Sequence, residues 1–219
     1  MTKIDNFPYM SACEFENTCT DFLKRFEQTS RLHSEWTSVE HLDSFNTKYL
    51  RITKPLQSSP SHAVQTSKAL ATNTKESDEE ACEIEDDDNE VLRSLPAQQA
   101  LICYDIILSP TYSVPALYIS VKDPLHRYPP TLSTLYNTII PPEYAAQTKD
   151  FGVIGGVTIT DHPIKNTPVY FLHPCKVAEV LQASCSRASE IDTASYLLLW
   201  IGAMGKCVGL DVPLALVAS

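Results

Sequence analysis

The hydrophobic pattern near the start of the chain is that of an amphipathic helix. Ser11, followed three residues later by Glu14, forms a capping box, which satisfies two otherwise unpaired N–H groups at a helix start. The pattern predicts a helix from about Ser11 to about Arg31 with one apolar face. That face is expected to pack on the core, and binding of a partner protein is the alternative. Its members are Phe15, Cys19, Phe22 and Phe26.

The next apolar runs are rich in β-branched and aromatic residues and predict four strands. Trp36–Leu42 and Lys48–Thr53 are joined by the turn-forming residues Asp43–Asn46. Further along, Ala100–Leu108 and Tyr112–Val121 are separated by a short Ser-Pro-Thr segment, so they predict a hairpin.

Prolines and hydroxyl residues mark the boundaries that follow. Pro115 lies inside the fourth predicted strand and has no N–H to donate, so it predicts an edge strand or a bulge there. Thr131 can cap a short helix, which the pair Pro141–Pro142 is expected to end. The apolar residues of that helix are Leu132, Leu135 and Ile139.

A second hairpin and two helices complete the predicted order of elements. Strand Val157–Thr160 is followed by the turn Asp161–Asn166 and by a strand that ends at His173. A short helix then precedes a last helix, which begins at Asp192 or Thr193. The order of helix, antiparallel strands and C-terminal helices predicts an α+β domain. The apolar face of the last helix and its terminating glycine are Tyr196, Leu197, Trp200, Ile201, Met204 and Gly209.

The net charge of −10 is concentrated in one segment. Ten of the 27 acidic residues lie between residues 76 and 90, which contain no Lys or Arg, and the other 17 match the 17 Lys and Arg of the chain. The rest is close to neutral, so neither nucleic acid nor an anionic membrane is indicated as a partner. Residues 55–90 predict a disordered acidic insertion within a single domain of residues 1–219. A tolerated surface loop and a docking element for a basic partner are its two interpretations.

The seven cysteines form no CxxC pair and no repeated spacing. Neither a disulfide framework nor a zinc site is therefore predicted, and the thiols are expected to be reduced. No apolar signal segment opens the chain, and the most apolar stretch, Tyr196–Met204, is too short to span a bilayer. These features predict an intracellular protein that needs no metal and no other cofactor.

Cys175 stands just past the end of a predicted strand. Pro174 cannot donate to a sheet ladder and holds His173 in an extended conformation, so the thiol lies on a stiff backbone two residues from an imidazole. This arrangement can present a nucleophile, and a small buried hydrophobic residue is the alternative. His162 and Asn166, in the preceding turn, either return alongside Cys175 or contact only solvent.

The segment Tyr170–Lys176 resembles the active-site segment of the autophagy E2-like conjugating enzymes. These enzymes accept a ubiquitin-like protein as a cysteine thioester and pass it on. One branch transfers its modifier to phosphatidylethanolamine, and the other transfers it to a lysine of a single protein acceptor. Three further parts of the chain are similar to the second branch, the autophagy-related protein ten family. They are Phe15–Lys24 with Ser34–Trp36, then Tyr112–Tyr118, then Val208–Leu214.

The resemblance implies an E2-like fold with an N-terminal helix, a curved antiparallel sheet and C-terminal helices. It also implies three partners. They are an E1-like activating enzyme, autophagy-related protein seven; a ubiquitin-like modifier, autophagy-related protein twelve; and a protein acceptor, autophagy-related protein five. Such an enzyme is cytoplasmic and visits the preautophagosomal membrane transiently.

The resemblance further implies that Cys175 carries the thioester. In ordinary ubiquitin E2 enzymes, the Asn of a His-Pro-Asn segment helps to hold the developing oxyanion, and Cys175 occupies the position of that Asn. The family pattern places Tyr112 and His173 in the site instead, as hydrogen-bond donors or as groups that position the acceptor lysine. Sheet packing by Tyr112 and capping of a strand end by His173 are the structural alternatives.

Three other functions stay open from the residues alone. One is a cysteine hydrolase that uses Cys175 with His173 or His162, although no Gly-rich nucleophile turn accompanies the cysteine. The second is a catalytically inert E2-like binding module, against which the intact cysteine argues. The third is the lipid-directed branch of the same family.

Overall fold

A six-stranded antiparallel sheet forms the centre of the fold. The computed structural model describes residues 3–32, 34–57, 99–150, 156–185 and 191–218. The strands are β1 Ser38–Ser44, β2 Thr47–Pro55, β3 Leu101–Ser109, β4 Val114–Lys122, β5 Val157–Asp161 and β6 Pro168–Leu172. The helices are α1 Ala12–Thr29, α2 Leu132–Thr134, α3 Pro142–Asp150, α4 Val177–Ser184, α5 Thr193–Met204 and α6 Leu214–Val217.

The strand order is β1-β2-β3-β4-β6-β5, and every neighbouring pair is antiparallel. The predicted α+β fold, with a curved antiparallel sheet between an N-terminal helix and C-terminal helices, is confirmed. The predicted strands are present with their ends displaced by one or two residues. These described elements belong to one compact unit, formed by residues 1–56 and 99–219.

The main core lies between the sheet and the pair of helices α1 and α5. The predicted capping box of α1 is present, because the Ser11 hydroxyl accepts from the Glu14 N–H at 3.3 Å and the Glu14 carboxylate accepts from the Ser11 N–H at 2.7 Å. The predicted apolar face of α1 is buried against α5, in which Trp200 is fully buried. Because this face is inside the core, it is not available as a partner-binding surface.

The opposite face of the sheet, called the outer face here, is organised around a buried carboxylate. Asp105 of β3 stands directly opposite Arg51 of β2, and the guanidinium Nε and Nη2 donate to the two carboxylate oxygens at 2.6 and 2.7 Å. His162 Nε2 and Lys165 Nζ contact the Oδ2 atom of the same residue at 3.0 and 2.9 Å. We call these four residues the Asp105 cluster.

The Asp105 cluster brings the turn between β5 and β6 over the outer face. β6 pairs with β4 only from Leu117 to Ile119, so the hairpin is free to leave the plane of the sheet beyond that point. The His162 ring also packs edge-on against Tyr49 of β2, with centroids 6.4 Å apart. A turn from one edge of the sheet thereby covers strands near the other edge.

The cations of the cluster determine the charge state of Asp105. Burial by itself raises the pKa of this carboxyl, but hydrogen bonds from Arg51, His162 and Lys165 outweigh it, and the pKa lies well below its ordinary value. The carboxylate is only 1% exposed. It therefore stays ionised in a position where an unpaired charge would be strongly unfavourable.

The predictions made from Pro115 and Gly209 differ from the structure, whereas the helix end predicted at Pro141–Pro142 is present. β4 lies inside the sheet, so the edge-strand prediction from Pro115 is wrong for the strand as a whole; the proline falls beyond the part that pairs with β6. The helical segment capped by Thr131 ends at Ile139, just before the pair Pro141–Pro142, as predicted. Pro142 in addition begins α3, where a missing N–H has no cost. α5 ends at Met204, and Gly209, in a left-handed conformation, ends the following 3-10 turn.

The predicted acidic insertion, residues 55–90, lies outside the described residues from residue 58 onward. Its first residues belong to the fold, because Pro55 is the last residue of β2 and Leu56 is buried in the core. The disorder of the insertion and the single-domain organisation of residues 1–219 stay predictions.

Replacing Asp105 by Asn is expected to lower the free energy of unfolding by about 3 kcal/mol at neutral pH, because the Arg51 guanidinium and the Lys165 ammonium lose their anionic partner. The folded pKa of Asp105 lies below the unfolded value of about 4. The stability that this residue contributes is therefore fully present above that pH and is lost as the pH falls toward the folded pKa.

Denaturant unfolding across a pH series measures both effects. Asp105→Asn should lose less stability on acidification than the wild type. Asp161→Asn, at an exposed position at the end of β5, is the control and should change stability by less than about 0.5 kcal/mol. An Asp105→Asn protein with wild-type stability and an unchanged acid response would contradict the assignment.

Replacing Gly202 of α5 or Gly205, which directly follows α5, by alanine should change the stability of the fold in opposite directions. A Cβ on Gly205 would lie 2.6 Å from the Leu210 carbonyl oxygen and 2.8 Å from that of Ile201, whereas one on Gly202 meets nothing within 4 Å. Gly205→Ala should destabilise by about 2 kcal/mol. Gly202→Ala, in an exposed helical position, should stabilise by about 0.5–1 kcal/mol. Thermal unfolding of the two variants checks the sign of each, and equal shifts would refute this account.

Candidate active site

Cys175 is presented by a short rigid segment at the end of β6. His173 has φ −68° and ψ 132°, the extended conformation that a following proline requires, and Pro174 begins a 3-10 turn that runs to Lys176. The His173 imidazole accepts a hydrogen bond at Nδ1 from the Cys175 N–H at 3.2 Å. Cys175 is a free, partly exposed thiol. The predicted placement of the thiol, just past a strand end on a constrained backbone, is confirmed.

Tyr112 contacts His173 from the turn between β3 and β4. Its ring meets the His173 ring edge to face, with centroids 5.4 Å apart and planes at 80°. Tyr112 lies in the turn before β4, because the strand begins at Val114 and not at Tyr112 as predicted. The Ser113 carbonyl accepts from the Met10 N–H at 2.8 Å, which ties this turn to the segment before α1.

The hydrogen bond between Cys175 and His173 restricts which groups can act as donors. A neutral imidazole that accepts at Nδ1 carries its proton at Nε2, so the Nε2–H of His173 is a donor. The Cys175 N–H is already engaged and is not available to an oxyanion in this arrangement. Within the described part of the chain the Tyr112 hydroxyl has no hydrogen-bond partner, and the residue is 38% exposed. The His173 Nε2–H and the Tyr112 hydroxyl are therefore the side-chain donors of this group of residues, with Tyr112 joined to it through the His173 ring.

His162 belongs to the Asp105 cluster and not to this group. It is 1% exposed, so the prediction that it contacts only solvent is wrong. Its Nε2 contacts Asp105, and its Nδ1 accepts from the backbone N–H groups of Ile164 and Lys165 at 3.1 and 3.3 Å. Both ring nitrogens are occupied, which leaves neither as a base for a cysteine hydrolase. Asn166 closes the turn, with φ 51° and its N–H donating to the His162 carbonyl at 2.9 Å.

The sequence interpretation missed Arg51, Asp105 and Lys165. A signal was present, since an arginine and an aspartate each interrupt an apolar run that was predicted to be a strand. Opposite charges inside two strands of one sheet are consistent with a buried ion pair, because charged residues are rarely buried unless they are paired. The strand register that sets them opposite each other is a property of the folded chain.

A groove of about 560 Å³ lies beside the same β3–β4 turn, between the start of α1 and the β1–β2 turn. Its lining combines apolar residues, such as Met10 and Phe15, with the ion pair of Lys48 and Glu16. Cys175 and His173 do not line this groove. Among the described residues no group of three or more His, Cys, Asp or Glu side chains could hold a metal ion. No helix of the described segments has the length and apolar character needed to cross a membrane.

Comparison with known proteins gives a family match over most of the chain. Residues 14–215 match the family model described as autophagocytosis associated protein, active-site domain. The protein named ubiquitin-like-conjugating enzyme ATG10 of Gibberella zeae is 29% identical over 237 residues, which cover 96% of this chain and 97% of that relative. The protein of the same name from Homo sapiens is 30% identical over 139 residues, 63% of this chain and 62% of the relative.

Among solved structures, one described as the crystal structure of the autophagic E2 Atg10 aligns with 93% of this chain and 99% of its own. Its TM-score is 0.44 and its sequence identity is 13%. The family assignment depends on the sequence match, which extends from the first turn of α1 to α6 and includes β6 and Cys175. The chain therefore belongs to the autophagocytosis associated protein, active-site domain family, the E2-like conjugating enzymes of autophagy.

Proposed function

We propose that this enzyme receives a ubiquitin-like modifier on Cys175 from an E1-like enzyme and transfers it to a lysine of a protein acceptor. The observation that carries the proposal is the partly exposed Cys175 thiol, whose backbone N–H is bonded to His173, with the Tyr112 ring packed in turn on the His173 ring. Within the family, the similarity of Tyr112–Tyr118 and of Val208–Leu214 to the protein-directed branch supports a protein acceptor. The partners we propose are autophagy-related protein seven as E1, twelve as modifier and five as acceptor. Such an enzyme would act in the cytoplasm, with transient visits to the preautophagosomal membrane.

The first transfer exchanges one thioester for another. The Cys175 thiolate attacks the carbonyl carbon of the E1 thioester, a new C–S bond forms, and the E1 cysteine leaves as its thiolate. Little energy separates the two thioesters, so this step depends mainly on positioning.

The second transfer makes an isopeptide bond. A neutral lysine amine attacks the thioester carbonyl, negative charge develops on the oxygen, and the C–S bond then breaks to release the Cys175 thiolate while the amine loses a proton to solvent. One well-placed donor to such an oxyanion contributes about 10²–10³-fold to the rate. We propose the Nε2–H of His173 and the hydroxyl of Tyr112 for this task, or for holding the lysine in place.

The thioester on Cys175 is tested by a charging reaction. Purified chain, the E1-like enzyme, ATP and modifier should give an adduct that disappears under reducing conditions on a gel. Cys175→Ser should give an ester that resists reductant, and Cys175→Ala should give none. Cys13→Ser, at an exposed cysteine in α1, is the matched control and should charge normally. No adduct on the wild type with an active E1 would favour an inert binding module.

The acceptor class is decided by adding either the protein acceptor or vesicles that contain phosphatidylethanolamine to the charged enzyme. The proposal expects a conjugate with the protein and none with the lipid. A lipid conjugate would assign the chain to the sister branch, and release of free modifier without any acceptor would indicate a hydrolase.

Loss of either proposed donor is expected to slow discharge more than charging. His173→Ala should reduce single-turnover discharge to the protein acceptor by about 10²-fold, because it removes the Nε2–H. Tyr112→Phe keeps the ring and removes only the hydroxyl, and it should slow discharge by roughly tenfold or more if that hydroxyl donates. Tyr9→Phe, at a tyrosine that is similarly exposed, at 40%, is the control. A Tyr112→Phe enzyme that discharges at the normal rate would remove the donor role of Tyr112.

A further inference from the structure

A row of aromatic rings crosses the outer face of the sheet and ends at the candidate active site. Tyr118 of β4 and Phe171 of β6 are directly opposite in register, and their rings stack with centroids 4.8 Å apart. The Phe171 ring then meets the His173 ring edge to face at 5.7 Å and 76°. The His173 ring makes a second contact of this kind with Tyr112.

The other end of this row is fixed by the Asp105 cluster. The His162 ring packs on Tyr118 with centroids 5.5 Å apart, while its two nitrogens are held by Asp105 and by the backbone of the turn. A continuous series of ring contacts therefore runs from the buried His162 through Tyr118 and Phe171 to His173.

The strand pattern explains why Phe171 and His173 share a face. Successive side chains of a strand point to opposite sides of the sheet; Tyr170 and Leu172 enter the main core, and Phe171, between them, does not. Phe171 is only half buried, and its ring packs on the outer face of the sheet. His173, two residues later, follows the same alternation and meets the Phe171 ring.

We propose that Phe171, braced by Tyr118, is a positioning residue that holds the His173 imidazole in the orientation needed for discharge of the Cys175 thioester. This inference rests on the function proposed above and deepens it. Phe171 touches neither the thiol nor a reacting atom in this role. It acts through His173.

The need for such a residue follows from the bonding of His173. One hydrogen bond from the Cys175 N–H to Nδ1 fixes one atom of the ring and leaves rotation about the side-chain bonds possible. Edge-to-face contacts from Phe171 and Tyr112 restrict that rotation, in the geometry that aromatic quadrupoles favour. Without the Phe171 ring, Tyr112 alone makes such a contact with the imidazole. A misplacement of about 1 Å is enough to slow a reaction about 10²-fold.

Two substitutions at Phe171 distinguish the effect of its aromatic ring from the effect of its apolar volume. Phe171→Leu keeps an apolar side chain and removes the ring, whereas Phe171→Tyr keeps the ring and is the conservative rescue. Val169→Ala, two residues earlier in β6 and fully buried at 1% exposure, is the control for lost packing. Each variant is charged on Cys175 with modifier and then discharged to the protein acceptor in a single turnover, and its thermal unfolding is recorded.

We expect Phe171→Leu to charge at the wild-type rate and to discharge about tenfold more slowly, with Phe171→Tyr restored to near the wild-type rate. Val169→Ala should lower the melting temperature and leave the discharge rate of the folded enzyme unchanged. In the double variant His173→Ala/Phe171→Leu, discharge should be no slower than with His173→Ala alone, because both changes disable the same group.

Three results would overturn the proposal. They are normal discharge by Phe171→Leu, a parallel loss of charging and discharge that tracks its loss of stability, and a double variant slowed by the full product of the two single effects. Any of them would assign Phe171 to packing alone.

A readout independent of activity separates this proposal from the proposed function. In two-bond ¹H–¹⁵N NMR spectra of histidine-labelled protein, wild-type His173 should show one tautomer, protonated at Nε2, and Phe171→Leu should show a mixture. An unchanged His173 spectrum in Phe171→Leu overturns the positioning role even if the wild type does not charge. Failure of the wild type to charge with an active E1 removes the proposed function, while the spectra still decide whether Phe171 holds His173.

Discussion

The buried carboxylate of Asp105 is the constraint on which the outer side of this fold depends. An ionised group in the middle of a sheet is tolerated only when cations and hydrogen bonds replace its lost hydration. Arg51 comes from the adjacent strand, but His162 and Lys165 must be brought by the β5–β6 turn from the far edge of the sheet. The path of that hairpin, and with it the direction of β6, is therefore tied to one carboxylate.

The direction of β6 in turn decides where the thiol emerges. β6 contacts β4 over only three residue pairs, with Phe171 opposite Tyr118 in the middle, and the chain leaves the sheet directly afterwards through His173 and Pro174. The β3–β4 turn, which carries Tyr112, ends beside this exit. The candidate site is thus assembled from a strand end and a turn that the sheet register brings together.

His162 and His173 differ in how their ring nitrogens are bonded, and this difference distinguishes a structural role from a chemical one. His162 has both ring nitrogens occupied and almost no exposure, so it holds the turn and neither nitrogen is available to a substrate. His173 uses Nδ1 to accept the Cys175 N–H, and its Nε2 has no hydrogen-bond partner among the described residues. Because this bond also engages the backbone N–H of Cys175 itself, our proposal assigns the donors for a developing oxyanion to the side chains of His173 and Tyr112.

The sequence by itself determined the order and type of the main elements and the position of the thiol. Capping residues, periodic apolar positions and proline act over a few residues, so α1, the six strands and the constrained backbone before Cys175 could be predicted. The end of the last long helix at Gly209 was predicted less well, because α5 ends at Met204 and a 3-10 turn lies between it and the glycine. Only the tertiary structure decided the partners of Asp105, the burial of His162 and the contact of Tyr112 with His173. These depend on strand register and on a hairpin that leaves the plane of the sheet, and such long-range contacts leave no local pattern to read.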